Sequence, residues 1–452
     1  MKPIFAVAID DKVLISSPLQ RISALVNRKA AIMIRDSVLL NQEPHAKISA
    51  LCLALNSRSF ETPEPRTGSL QDPLFLGLFP VRGHATGCVF ADCTTGVEVE
   101  TVMSLETAKR ALNAYFDLIA QAGQHQADIR IFGGEDFPAL DVLFFTEAYA
   151  RQRAVQANLS IQLSLISGGH FPLKIVRWVG DHFDTVTLCL DGLHGTGDEE
   201  TSGEFEQSVS SIVKNNARVL SESPADLTLR VCITKQAVQR MSDIAQWIMS
   251  SFIPYAVSFQ TWLPKSGWRE DLDGPDPVGF ARVFNQAAEL LEAHGIIALY
   301  NPADIRTARI TACPVGMDGL TITPEGRIAA CTLPASVWQG KSLPFQIGRV
   351  TSSEFKIDPV ALNDTRALTV LKAPVCENCI SLFHCAGGCY VHNPRQKDSE
   401  GFSDRCLQIR LVTISNLLRA MGQFEASREW LDHHEPSAQG RRVVKDRLRD
   451  LK

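Results

Sequence analysis

The run C376-E-N-C-I-S-L-F-H-C-A-G-G-C389 places four thiols within fourteen residues. No apolar core needs sulfur at that density, so this stretch must fold around something that thiolates bind. Of the 12 cysteines in the 452-residue chain, seven lie in the last third: Cys313, Cys331, Cys376, Cys379, Cys385, Cys389 and Cys406. Cys52, Cys189 and Cys232 sit in apolar helix or strand patterns and read as structural thiols. The opening MKPIFAVAIDD ends its apolar stretch at Asp10 and Asp11, too soon for a secretion signal. A cytosolic chain keeps its thiols reduced, so metal binding takes precedence over disulfides. A zinc ribbon pairs two C-x-x-C knuckles, and only Cys376 and Cys379 form one here. Irregular spacings closed by distant cysteines suit iron–sulfur clusters, which rank ahead of zinc, although spacing alone leaves the metal open.

The rest of the chain is ordinary globular material, 45% hydrophobic and 21% charged, and too long for one simple core. A net charge of −5 advertises no basic face for nucleic acid. No apolar run approaches the roughly 18 residues that span a bilayer. A soluble cytoplasmic protein is the expectation.

Residues 1–72 read as an α+β unit, with strands at 4–8 and 12–16 and a helix around 45–55, closed by the linker T62-P-E-P-R-T-G-S-L-Q-D-P73. From 73 to 305, β-rich runs at 74–79, 128–133, 159–166, 185–190, 227–233 and 256–260 alternate with helical periods. Leu105, Ala108, Leu112, Tyr115 and Ile119 share one helix face, as do Phe280, Val283, Ala287 and Leu290; Ser104 caps the first helix and Gly295 stops the second. Six such units predict an α/β fold, a partial (β/α)6 TIM-like barrel of parallel strands, with chemistry at the strands' C-terminal ends. Gln260, Trp262, Thr234 and Lys235 would face that pocket. Residues 306–430 form the cysteine-rich region, and Leu407, Leu411, Ile414, Leu418 and Met421 stripe a helix within it. The tail from 431 ends in R441-R-V-V-K-D-R-L-R-D-L-K452, whose six basic and two acidic residues read as a solvated helix face.

With these residues in view, the C-terminal third resembles a SPASM domain, the twin-cluster extension of radical S-adenosylmethionine (SAM) enzymes. The pattern is Cys313, then G326-R-I-A-A-C331, then Cys376, Cys379, Cys385 and Cys389 in C-x2-C-x5-C-x3-C, then Cys406. The resemblance implies that Cys376, Cys379, Cys385 and Cys406 hold an outer auxiliary cluster. It implies that Cys313, Cys331 and Cys389 hold an inner one whose fourth ligand is not among the seven. His384, beside Cys385, reads as a hydrogen-bonding side chain. In the barrel, F132-G-G-E135 resembles the family's Gly-Gly-Glu motif, so that Gly133, Gly134 and Glu135 would bind the methionyl end of SAM. The family's usual Pro is replaced by Asp136, and L190-D-G192 resembles the segment after the fourth strand, with Asp191 a further cofactor contact.

The family's defining C-x3-C-x2-C after the first strand departs from pattern. In P80-V-R-G-H-A-T-G-C-V-F-A-D-C93 the three places fall on His84, Cys88 and Ala91, with Cys93 two residues beyond. Two readings stay open. In one, His84, Cys88 and Cys93 hold a third 4Fe-4S cluster, although imidazole ligation raises the potential against the low value that SAM cleavage needs. In the other, the barrel has lost that cluster, and the chain is a partner subunit of an active radical SAM enzyme, binding peptide and two auxiliary clusters. The first implies a maturase that modifies a ribosomally made precursor peptide or protein side chain. The expected partners are that peptide, an electron donor and, on the second reading, another radical SAM protein; residues 1–70 would help hold the peptide.

Overall fold

The structure is a computed structural model that describes residues 3–57, 62–82, 101–134, 139–190, 209–261, 274–333, 338, 343–352, 354–391, 403–434 and 445–451. Strands β1 (Phe5–Ile9), β2 (Lys12–Ser17) and β3 (Ile22–Asn27) form an antiparallel meander. Helices α1 (Arg28–Leu40) and α2 (Ser49–Ser57) follow. The sequence reading anticipates neither β3 nor α1. Helix α1 starts where the Asn27 side chain accepts the Ala30 N–H at 2.8 Å, satisfying one of the first-turn donors. Period-2 alternation gives the meander two apolar faces. Ile4, Ala6, Val13 and Ile15 pack on Ala31 and Ile34 of α1 and on Cys52 and Leu55 of α2, whereas Phe5, Val7, Ile9 and Leu14 join the main core.

That core surrounds a wound α/β sheet. Its elements are β4 (Phe75–Leu78), β5 (Val81–Arg82), β6 (Thr101–Val102), α3 (Leu105–Gln121), β7 (Gln126–Phe132), α4 (Leu140–Ala157), β8 (Ser160–Ser167), α5 (Leu173–His182) and β9 (Thr185–Cys189). They continue through α6 (Ser211–Ser221), β10 (Asp226–Ile233), α7 (Met241–Ser251), β11 (Ala256–Thr261), α8 (Pro277–Ala293) and β12 (Ile297–Leu299). The order β4-β7-β8-β9-β10-β11-β12 is parallel throughout, so the expected six strands are present with a short seventh. Ser104 caps α3 as expected, its Oγ accepting the Thr107 N–H at 3.0 Å. Ala108, Leu112, Tyr115 and Ile119 are buried, while Leu105, at the first helical position, is 45% exposed.

The sheet is open because β4 does not meet β12. Its free side pairs in parallel with β13 (Gly319–Ile322), which continues antiparallel into β14 (Arg327–Ala329), β15 (Gln346–Val350) and β16 (Phe355–Ile357). The cysteine-rich region therefore shares one 11-stranded sheet with the barrel. Two glycines permit the join: a Cβ at Gly319 would lie 2.6 Å from Pro314 Cβ, and one at Gly77 would lie 2.9 Å from the Phe132 ring. A buried ion pair locks it. Arg366 donates to Asp318 through Nε at 2.8 Å and Nη2 at 2.6 Å, and through Nη1 to the Gly68 carbonyl at 2.6 Å. Helices α9 (Pro359–Arg366), α10 (Leu382–Cys385), α11 (Asp404–Ala420) and α12 (Phe424–Asp432) complete the region.

The two sheet faces differ in chemistry. Ile129, Ile131, Leu163, Leu165, Val186, Leu188, Leu229 and Val231 are fully buried under the helices. Their alternates, which line up by strand register, include Arg130, Ser164, Thr185, Thr187, Thr228 and Arg230, all half-buried. A closed barrel fills its interior with branched apolar side chains; this open one presents a polar surface there. None of the described helices is long and apolar enough to cross a membrane.

The C-terminal tail corrects a sequence expectation. Residues 445–451 are not a solvated helix face, for Asp446 and Leu448 are buried and Phe5 bridges Arg447 in antiparallel fashion. Ala6 N–H donates to the Asp446 carbonyl at 2.6 Å and Leu448 N–H to the Ile4 carbonyl at 3.0 Å, so the tail adds a fourth strand-like segment to the meander's β1 edge.

Candidate metal centre

The strand ends that should carry chemistry meet on one rim. Gly133 and Gly134, directly after β7, take φ of +85° and +97°, a turn that side chains resist. Gly133 N–H still reaches the Ile166 carbonyl at 2.7 Å, and a Cβ on Gly134 would lie 3.9 Å from Pro80 Cγ, so this turn abuts the exit of β4. There β5 pairs with β6, bringing Arg82 opposite Thr101. His84, Cys88 and Cys93, between those strands, lie outside the described residues, as do Glu135, Asp136, Asp191 and Trp262. Thr234 and Gln260 stand at the same rim, where the Gln260 amide donates to Ser258 Oγ at 2.8 Å.

The seven C-terminal thiols fall into two groups. Cys385 is pushed up to about 12 by burial first and then by neighbouring Cys406 and Cys376; Arg405 and Arg309 oppose this. Burial, followed by the Asp446 carboxylate, holds Cys379 well above its ordinary value, and Cys385 adds to that. Cys376, Cys379 and Cys406 thus each lie within electrostatic reach of Cys385. Cys313 is likewise pushed up to about 12, by burial and then by Cys389. Both pack with Cys331 among Val315, Trp338, Phe345, Tyr390 and Val391. Among the described residues no group of three or more His, Cys, Asp or Glu side chains is placed to hold a metal ion.

Local structure explains the outer grouping. Cys376 ends one short 3-10 turn, and Cys379 N–H donates back to its carbonyl at 3.1 Å, the tight reversal that a C-x-x-C spacing allows. Cys385 closes α10, after which Ala386 takes φ of +50° and Gly387 of +83° to turn the chain toward Cys389. Cys406 enters from the first turn of α11, where Ser403 caps the helix by accepting the Cys406 N–H at 3.3 Å. Arg309 joins the segments: its N–H, Nε and Nη2 donate to the carbonyls of Phe383, His384 and Asn301 at 2.7, 2.8 and 2.7 Å.

The tail holds the knuckle from the other side. Asp446 accepts the Ile380 N–H at 3.1 Å and a two-pronged pair from Arg410 at 2.9 and 2.7 Å, and its own N–H donates to the Asn378 carbonyl. Arg447 Nε donates to the Glu377 carbonyl at 2.8 Å. Sequence reasoning missed this strap; the available signal was two acidic residues spaced within a basic tail.

Beside the outer thiols in the chain, buried polar atoms stand without partners among the described residues. Ser381 Oγ, both ring nitrogens of His384, and Nε and Nη1 of Arg405 have no hydrogen-bond partner among the described residues. His384 is 2% exposed, and burial followed by the Arg309 charge lowers its pKa to about 4; the Thr307 carbonyl pulls weakly the other way from outside bonding geometry. The expectation of a hydrogen-bonded His384 is thus not met by the protein itself. Thiols with unsatisfied donors beside them in the chain fit a group that brings its own acceptor atoms, as the sulfides of an iron–sulfur cluster do.

The fold is an open α/β barrel continuing into a cysteine-rich sheet. No protein-family model matches the sequence, and no curated protein does. Among solved structures the chain is similar to native anSMEcpe with bound AdoMet and Cp18Cys peptide, at a TM-score of 0.56 and 13% identity over 79% of this chain and 99% of that one. The same protein with bound AdoMet and Kp18Cys peptide gives 0.56 and 13% over 77% and 99%. Its hexahistidine-tagged form with bound AdoMet gives 0.53 and 14% over 80% and 100%. At such identities the likeness is one of fold.

Proposed function

We propose that this protein is a radical SAM enzyme with a SPASM-like extension, acting on a ribosomally made precursor peptide. What supports this is that Cys376, Cys379 and Cys406 lie within electrostatic reach of Cys385 while Cys313, Cys331 and Cys389 pack in one cluster, on a fold shared with a protein whose structures hold AdoMet and a peptide. Cys376, Cys379, Cys385 and Cys406 would hold the outer cluster, and Cys313, Cys331 and Cys389 the inner one. His84, Cys88 and Cys93 are the candidates for a third, at the rim. When bound there, a four-iron cluster with SAM supplies reductive cleavage of SAM and, from it, the radical that abstracts hydrogen.

The chain's own residues would do the rest. The Gly133–Gly134 turn lets the backbone approach the cofactor, and Glu135 offers a carboxylate to its ammonium. The polar sheet face, with Ser164, Thr187, Thr228 and Arg230, gives a peptide backbone both donors and acceptors. In the N-terminal meander, β3 pairs only with β2 among the described residues, leaving an edge to which an extended peptide can add. An electron donor completes the partners. Crosslinking that found the precursor far from residues 1–70 would remove the meander from this role.

A second reading rests on one specific observation: only Cys88 of the three motif positions carries a thiol. The chain would then be a cluster-bearing partner of another radical SAM protein. Anaerobic protein with about twelve irons per chain, forming 5′-deoxyadenosine from SAM and reductant, supports the enzyme; about eight irons and no 5′-deoxyadenosine supports the partner. Cys88→Ala should lower the iron count only in the first case.

A further inference from the structure

We propose that Arg405 is the counter-charge and hydrogen-bond donor of the outer cluster, and that it holds that cluster's reduction potential up. This rests on the iron–sulfur reading above and goes beyond it by assigning a role to a residue that ligates nothing. Arg405 lies in the first turn of α11, a 17-residue helix, next to Cys406. A helix N-terminus already carries partial positive charge, so a guanidinium there is placed against the field unless an anion joins it. Its Nε and Nη1 are buried and find no acceptor among the described residues, unlike Arg410 farther along the helix, whose Nε and Nη2 donate to Asp446.

Two further donors, independent of that helix, make the same demand. His384 and Ser381 are each 2% exposed, and neither ring nitrogen of the one nor the hydroxyl of the other is satisfied. All three residues neighbour outer thiols in the chain: Arg405 beside Cys406, His384 beside Cys385, and Ser381 two residues from Cys379. A cluster bound by four thiolates is a net anion with sulfide acceptors, and supplies what these donors lack. Donors to sulfide and nearby positive charge favour the reduced, more negative state. The inner thiols pack among aromatic and aliphatic side chains, and the one cation acting on Cys313, Arg309, also acts on Cys385.

The test is an EPR-monitored redox titration of anaerobically purified full-length chain, with iron per chain measured in parallel. In Arg405→Met the reduced-to-oxidised ratio of the outer cluster at fixed potential should fall about tenfold, roughly a 59 mV downward shift for a one-electron couple. Iron content and the inner cluster's potential should not move, and Arg405→Lys, which keeps the charge, should restore most of the shift. An outer potential equal to wild type in Arg405→Met, or an equal shift of both clusters, overturns the proposal. Should Arg405→Met fail to retain iron, Arg405→Gln is titrated under the same criterion. A wild-type chain without iron would overturn the functional reading as well; a loaded chain with an unmoved potential would overturn this inference alone.

Discussion

The two thiol groups lie in one region of sequence and share the Arg309 charge, but differ in the rest of their surroundings. The outer four sit among Arg309, Arg405, Arg410, Asp446 and His384, with polar atoms both paired and waiting. The inner three sit in an apolar pocket closed by Trp338, Phe345 and Tyr390. Tyr390 reinforces that pocket by donating to the Leu368 carbonyl, and Trp338 by donating to the Leu333 carbonyl at 2.9 Å. A buried charge on metal is stabilised by nearby cations and donors and opposed by apolar walls. The pair is therefore built asymmetrically, and the outer site should be the easier of the two to reduce.

If the two groups hold separate clusters as proposed, removing one thiol from each is the largest way to separate them. Cys385→Ser should cost roughly four irons per chain and leave the inner cluster's signal, and Cys331→Ser should do the reverse. Loss of both signals from either variant would show the groups to be one site. A smaller effect is expected at the strap. Asp446→Ala leaves Arg410, 14% exposed, without its anion, and frees the Ile380 N–H. Breaking a buried pair costs about 3 kcal/mol or more, so thermal unfolding should come earlier and a chelator should strip outer iron faster than inner. Equal stripping of the two would detach the strap from the outer site. The smallest effect is Trp338→Phe, which keeps the apolar wall and loses one hydrogen bond, worth about 1 kcal/mol. It should speed release of inner iron alone; unchanged release would mean that the indole bond does not order the pocket.

Much of this was legible in residues read in order. The six runs became strands within two residues of their expected ends, because alternate β-branched and aliphatic side chains must be buried under the helices on one face of the sheet. The crowding of cysteines marked the thiol-rich region, though spacing alone left its metal open. What escaped were features made by residues distant in sequence. Asp446 meets Ala6, Ile380 and Arg410, contacts that no local pattern announces. Helix α1 begins with Arg28 and Lys29 behind an Asn cap, and its 13 residues carry no strong apolar stripe to mark it. The unsatisfied donors of Arg405 and His384 are invisible in sequence, since an arginine or histidine beside a cysteine is usually solvated or paired.

The parallel pairing of β13 with β4 bears on how such proteins are dissected. Cutting the chain between barrel and extension would strip four inter-strand partners from Phe75 to Leu78 and expose a raw hydrogen-bonding edge. Truncated chains lacking residues 306–452 should consequently aggregate rather than yield an isolated barrel, and an exchange of extensions between homologues would need to carry its own matching first strand.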